Sequence, residues 1–298
     1  MPKKPNRPSR PSVRLPSSSL AVLCGCLERQ WRRYRKELKR CQKKFSAESI
    51  HDSRVSARRL SATIGLFSRF ITRRRIGKID CFLKEHLDVF DDLRDTQVQL
   101  AALENLCLLF PSARPYYNFL NDREKRLSKE ARRDITGIRS KPLARLMKAA
   151  ALDLKQQRKK LPGKVSAAIF ARSVNRVFDG VCRLRKRIDR RDTRTIHKTR
   201  IAFKKFRYMV ELLGNELIAL DEKRVQEMQH YQTMMGDVQD AEVLLRSLDR
   251  FIGRNESKRA SLLKFREELL RRRQWLIRVY MDAAGQLNDF WPIADVTE

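Results

Sequence analysis

The phrase "IHDSRVSARRL" at 50–60 returns as "IHKTRIAFKKF" at 196–206, and this repeat constrains the architecture more than any other feature of the chain. Each copy carries an Ile-His pair, an Arg three residues after the His, a β-branched residue next, and then two adjacent cations. A second pair of phrases follows in the same order. "HLDVFDDLRDTQVQL" at 86–100 meets "HYQTMMGDVQDAEVLL" at 230–245, which aligns Asp92 with Asp237, Asp95 with Asp240 and Val98 with Val243. Two ordered phrases at an offset of 145–146 residues indicate a tandem duplication. Duplicated helical units commonly pack about a pseudo-two-fold axis, so the two copies are expected to face each other.

Apolar residues recur at helical spacing almost throughout, and convincing period-two alternation is absent. The periodicity predicts helices near 19–45, 49–70, 77–110, 115–139, 142–160, 164–189, 193–214, 218–252 and 257–290. Pro115 and Pro142 fit first-turn positions. Four long amphipathic helices in each half, joined by short connectors, predict an all-α, tandem-duplicated fold of two pseudo-symmetric four-helix bundles of antiparallel helices. The first half is expected at 18–140, a connecting helix at 141–163 and the second half at 164–290. Residues 1–17 hold five prolines and five cations, the composition of a disordered basic tail.

The charge balance is extreme: 67 Lys and Arg against 35 Asp and Glu give a net +32 and a pI near 10.6. Like charge at this density opposes compaction and calls for a polyanionic partner, whether a nucleic acid, an anionic membrane surface or a non-nucleic polyphosphate. No run of 18 apolar residues occurs, so no membrane span is expected. Six cysteines, Cys24, Cys26, Cys41, Cys81, Cys107 and Cys182, lack metal-ligand spacing and read as reduced, mostly buried small hydrophobes of a cytoplasmic protein. The basic start and "LAVLCGCL" superficially suggest an export signal, but that apolar run is short and flows into the helical pattern of "ERQWRRYRKELKR".

On a helical wheel, His51, Arg54, Arg58, Ala62, Gly65 and Arg69 share one narrow face, and Ala57, Leu60, Ile64 and Phe67 share the opposite one. The second copy places His197, Arg200, Lys204, Arg207, Tyr208 and Glu211 on one face and Phe203, Phe206, Val210 and Leu213 on the other. Small residues at 62 and 65 leave room above the first stripe for a ligand or a helix. Cations one turn apart suit successive phosphates, because the guanidinium fork matches phosphate oxygens and a nearby histidine gains charge among them.

These residues resemble the two halves of the CHAD domain, the conserved-histidine α-helical domain. "IHDSRVSARRLSATIGLF" and "IHKTRIAFKKFRYMVELL", followed by "LRDTQVQL" and "MGDVQDAEVL", carry the resemblance, which covers about residues 18–290. The resemblance implies two pseudo-symmetric bundles around a central basic channel, binding of inorganic polyphosphate, association with polyphosphate granules and no catalysis of its own. Carried over position by position, it implies phosphate contacts at His51, Arg54, Arg58 and Arg59, and at His197, Arg200, Lys204, Lys205, Arg207 and Tyr208. Two departures stand out: Asp91 occupies the position of Gly236, where the family usually has Gly, and Ser61 occupies that of Arg207.

The acidic residues Asp92, Asp95, Asp237 and Asp240 are read as partners that orient neighbouring cations. A di-iron bundle needs paired Glu-x-x-His motifs, and only Glu227-Met-Gln-His230 qualifies, its counterpart being Leu83-Lys-Glu-His86, so neither a metal nor a cofactor is expected. His86 and His230 are read as packing or hydrogen-bonding residues, and Trp31, Trp275 and Trp291 as core or interface. A nucleic-acid-binding protein fits the charge equally well, though no zinc finger, aromatic strand platform or recognition-helix pair is evident; weak, salt-sensitive nucleic-acid binding remains an expectation. An enzyme acting on phosphoanhydrides is a third reading, without a P-loop or a carboxylate cluster to support it.

Overall fold

A computed structural model describes residues 18–216 and 220–291, and the basic tail at 1–17 lies outside them. The described residues form ten α-helices: α1 (Ser19–Lys43), α2 (Ala47–Leu66), α3 (Arg73–Asp88), α4 (Asp91–Leu109), α5 (Arg114–Gly137), α6 (Lys141–Lys160), α7 (Gly163–Lys186), α8 (Thr193–Glu216), α9 (Glu222–Arg254) and α10 (Arg259–Ala283). Among these residues the β pairing is an isolated bridge between Asp189 and Asp192. No described helix is long and apolar enough to cross a membrane. Short 3₁₀ turns at Pro111–Ala113 and Glu256–Lys258 join α4 to α5 and α9 to α10, and a third, Ala284–Asp289, replaces the helical end expected up to 290.

The segment at 77–110, which periodicity reads as one helix, is two. It breaks at Val89 and Phe90, between α3 and α4. The equivalent stretch of the second half runs unbroken through Gly236 in α9. At the break the Leu87 carbonyl accepts from Phe90 N at 3.1 Å and from Arg54 Nη1 at 3.2 Å, so a side chain from α2 occupies a point where the helical ladder is interrupted.

The buried residues form two clusters, and neither follows the boundary between the sequence halves. The larger joins α1, α2, α3, α6, α7 and α8 with the start of α4, the end of α5, the N-terminal part of α9 and the C-terminal part of α10. The smaller is a four-helix arrangement of the end of α4, the start of α5, the end of α9 and the start of α10, including Leu103, Leu106, Leu120, Leu248, Phe251 and Phe265. Leu103 with Leu248, Leu106 with Phe251 and Leu120 with Phe265 each preserve the 145-residue offset, so residues related by the repeat share this cluster.

The apolar stripes opposite the repeated phrase are fully buried. Ala57, Leu60, Ile64 and Phe67 on α2, and Phe203, Phe206, Val210 and Leu213 on α8, are all inaccessible to solvent. Burial of each larger side chain contributes about 1.5–3 kcal/mol, which fixes the rotation of both helices and hence the direction of the basic stripes. A capping box starts α2: Ser46 Oγ accepts from Ser49 N at 3.2 Å while Ser49 Oγ accepts from Ser46 N at 3.0 Å. The cysteines are free thiols; Cys26, Cys41 and Cys107 are buried, and Cys81 is exposed. Leu23 and Cys26 of the "LAVLCGCL" run are core residues of α1.

Candidate anion site between the repeated helices

The two copies of the phrase meet, because α2 packs directly against α8. Lys205 on α8 crosses Gly65 on α2, where a Cβ would stand 3.2 Å from Lys205 Cε. The room predicted above position 65 is therefore filled by the partner helix, and Ala62 is likewise covered. The second phrases meet too: α4 packs on α9, and the aligned carboxylates Asp95 and Asp240 are electrostatic neighbours.

At the α2–α8 contact a group of cations is gathered, with Asp91, Asp95, Asp237, Asp240 and Glu211 around it. Burial, then the fields of Arg58, Arg200, Arg207 and Arg54, push the Lys204 ammonium down to about 7. Burial also lowers the Arg58 guanidinium to about 10; Arg54 adds to this, Tyr208 and Asp91 oppose it, and Arg200 adds again. Arg54, Arg58, Arg200, Lys204 and Arg207 are thus one electrostatic unit drawn from both halves.

The two halves of this unit are satisfied differently. Arg54 is buried, and its Nη1 donates to Asp91 Oδ1 at 2.9 Å as well as to the Leu87 carbonyl. Its counterpart Arg200 lies over Gly236, whose Cβ position is 3.5 Å from Arg200 Nε and Nη2, and that Nε is buried without a hydrogen-bond partner. His197 repeats the pattern. Its Nδ1 is buried and unpartnered, and burial followed by the charge of Arg200 lowers its pKa, against a side-chain hydrogen bond with Gln239.

Arg207 is more constrained. Its Nε donates to Gln232 Oε1 at 3.0 Å, its Nη1 pairs with Glu211, and its guanidinium lies 4.8 Å from the Tyr208 ring centroid. Part of its donor capacity is spent within the protein. Ser61, which aligns with Arg207, instead donates to Asp80 Oδ1 at 2.9 Å.

The remaining sequence candidates lie on the periphery. His51 and Lys205 are exposed and Arg59 is half-buried. Of the acidic residues expected to orient cations, Asp92 lies 3.4 Å from Arg123, outside the cluster, while Asp237 and Asp240 lie in the field of Arg200. The direct carboxylate partners inside the cluster are Glu211 on Arg207 and Asp91 on Arg54, and the departure of Asp91 from Gly was the visible signal for the second. The Leu87 carbonyl and Gln239 had no signal in the sequence, since one is backbone and the other is set by packing.

His86 is buried between Tyr34 Oη, 2.8 Å from Nδ1, and Ser53 Oγ, 3.0 Å from Nε2, which leaves neither ring nitrogen for a ligand. His230 is exposed on α9. Among the described residues no group of three His, Cys, Asp or Glu side chains is placed to hold a metal. Trp291 is core, whereas Trp275 is 54% exposed and so belongs to the surface of the single chain rather than its core.

The sequence pattern of the CHAD domain matches residues 21–249. No curated protein matches the chain. Among solved structures, the crystal structure of the CHAD domain from the plant Ricinus communis is similar in fold, with a TM-score of 0.59 at 18% identity over 96% of this chain and 95% of that one. Duplicated histidine phrases on packed helices, an all-helical fold and a family match over most of the sequence lead to one assignment: the chain belongs to the CHAD domain family.

Proposed function

We propose that this protein binds inorganic polyphosphate in the cation cluster between α2 and α8, as a binding module that makes and breaks no bonds. The observation that carries this reading is the concentration of Arg54, Arg58, Arg200 and Lys204 at one helix contact, with Lys204 held down to about 7 by its surroundings. Cations gathered in this way destabilise the free protein by repulsion, and a polyanion relieves the cost. The unpartnered Arg200 Nε supplies a donor for a phosphate oxygen, and His197 Nδ1 becomes one when the ring carries a proton there. Membership of the CHAD family supports polyphosphate as the anion, and association with polyphosphate granules in the cytoplasm follows as part of the same proposal.

Nucleic acid is the competing ligand. Exposed Trp275, flanked by Arg271, Arg272 and Arg278, offers it a salt-sensitive foothold away from the cluster. The test is titration with long-chain polyphosphate and with DNA of matched charge at low and high salt, for the natural protein and for Arg54→Ala/Arg58→Ala/Arg200→Ala/Lys204→Ala. Polyphosphate is expected to outlast DNA at high salt, and the fourfold variant to lose tight binding while keeping its helical circular dichroism. Equal DNA affinity at high salt, or an unaffected fourfold variant, rejects the reading. Release or transfer of phosphate in the same mixtures would make the protein an enzyme.

A further inference from the structure

Asp91 and Gly236 occupy the same position of the repeat, and they make the two half-sites chemically unequal. On the α8 side the position aligned with Asp91 is the bare α carbon of Gly236 beneath Arg200, and the carboxylates in the field of Arg200 are Asp237 and Asp240 of the same helix. On the α2 side a carboxylate from the first turn of α4 sits on Arg54 at 2.9 Å and also acts on Arg58. Two functions for that carboxylate are open: it could hold Arg54 in place for a ligand, or occupy the place a ligand would take.

The surroundings favour occupancy. Arg54 is already fixed by burial and by the Leu87 carbonyl at 3.2 Å, so it does not need Asp91 to stay in position. Arg200 keeps its place with no carboxylate at all at the equivalent position. The Asp91 side chain is 56% exposed against 9% for Arg54, so the carboxylate lies on the solvent side of the guanidinium, where an incoming anion would arrive.

We propose that Asp91 is a built-in competitor that sets chain-length preference. Short oligophosphates occupy the half-site of His197, Arg200 and Lys204, and only a longer chain, anchored there first, displaces Asp91 to engage Arg54 and Arg58. Once one part of a chain is bound, the next phosphates are held at high effective concentration beside the first half-site, which lets them compete with a tethered carboxylate that a free short anion does not displace. This inference rests on the reading of the cluster as a phosphate site.

The experiment is calorimetric titration of the full chain, Asp91→Gly and Asp91→Asn with tripolyphosphate and with long-chain polyphosphate. Both variants should bind the long chain about tenfold more tightly, the order expected when one charge-assisted competitor is removed. Affinity for tripolyphosphate should change less than about twofold, since a largely exposed charge is screened at the other half-site. Arg54→Ala should weaken long-chain binding in the natural protein and should cancel the gain that Asp91→Gly gives; simple loss of a negative charge would leave that gain in place. Asp91→Asn keeps the side chain's bulk and covers the case in which glycine unsettles the start of α4.

Weaker or unchanged long-chain binding by both variants overturns the proposal, because Asp91 is then a positioning residue or a bystander. Equal tightening for both ligands also overturns it. If the natural protein binds neither polyphosphate, the functional reading fails and this inference with it; if it binds and the Asp91 variants match it, the inference alone fails.

Discussion

The Lys205 side chain on α8 lies across Gly65 on α2, with Cε 3.2 Å and Nζ 3.6 Å from where a Gly65 Cβ would stand. This crossing sets a size limit at position 65. Gly65→Ala is expected to be near neutral, because a helix-propensity gain of up to about 1 kcal/mol offsets a small shift of the lysine's flexible end. Gly65→Leu meets the lysine stem and should cost about 1–3 kcal/mol while prising the cation cluster apart. Urea midpoints for the two variants, alongside polyphosphate affinities, check both statements.

Lys204 makes binding pH-dependent. Its pKa near 7 in the free protein rises when phosphate arrives, so the complex holds more proton than its parts at and above neutral pH. Affinity is therefore complete below about 7 and declines as pH rises through the interval up to the bound-state pKa, by at most tenfold per pH unit for one proton. The folding sign is separate: the unfolded chain, with lysine near 10.5, takes up more proton between 7 and 10.5, so Lys204 destabilises the fold below 7 and this penalty fades as pH rises. Lys204→Met should flatten both profiles, which affinity and thermal melts across that interval will read.

His86 has the corresponding effect at acid pH. Burial, then the charge of Arg54, lowers its pKa from 6.5 to about 4, so the unfolded chain binds the extra proton between those values. Stability should fall as pH drops from 6.5 towards 4. His86→Leu removes that slope, but strands buried Tyr34 Oη and Ser53 Oγ at a cost of about 1–3 kcal/mol at neutral pH. A slope that survives the substitution would place the acid sensitivity elsewhere.

Trp291 anchors the last described segment. Its ring packs edge-on against Phe206, centroids 5.9 Å apart, and its Nε1 donates to Asn175 Oδ1 at 2.7 Å. Trp291→Ala is expected to cost about 3–5 kcal/mol. Trp291→Phe should cost about 0.5–1.5 kcal/mol, chiefly from the lost Nε1 hydrogen bond to Asn175. Chemical denaturation separates the two.

The repeated phrase and its core stripes were legible because burial enforces a period that the wheel detects, as Leu60 and Phe206 illustrate. The break at Val89 and Phe90 was not legible: the side chain that meets it, Arg54, lies more than thirty residues earlier and reaches the Leu87 carbonyl only in the fold. The functional stripe was legible in kind and less so in detail. Arg207 is tied to Gln232 and Glu211, and Arg54 to Asp91, by contacts that only folding creates. The crossing of the cores was hidden for a related reason, since local periodicity says that Leu103 and Leu248 are buried but not that they share one cluster.

That shared cluster has a consequence for the origin of the fold. Leu103, Leu106 and Leu120 complete their packing with Leu248, Phe251 and Phe265, the residues related to them by the repeat. A single unduplicated half, cut free, would expose that apolar face and could cover it with the same face of a second copy, as a two-fold dimer. Gene fusion turns such a concentration-dependent partnership into a permanent one. It also frees the two copies to differ, and the pairing of Asp91 with Gly236 at one repeat position is a difference that a true homodimer cannot hold on one side alone.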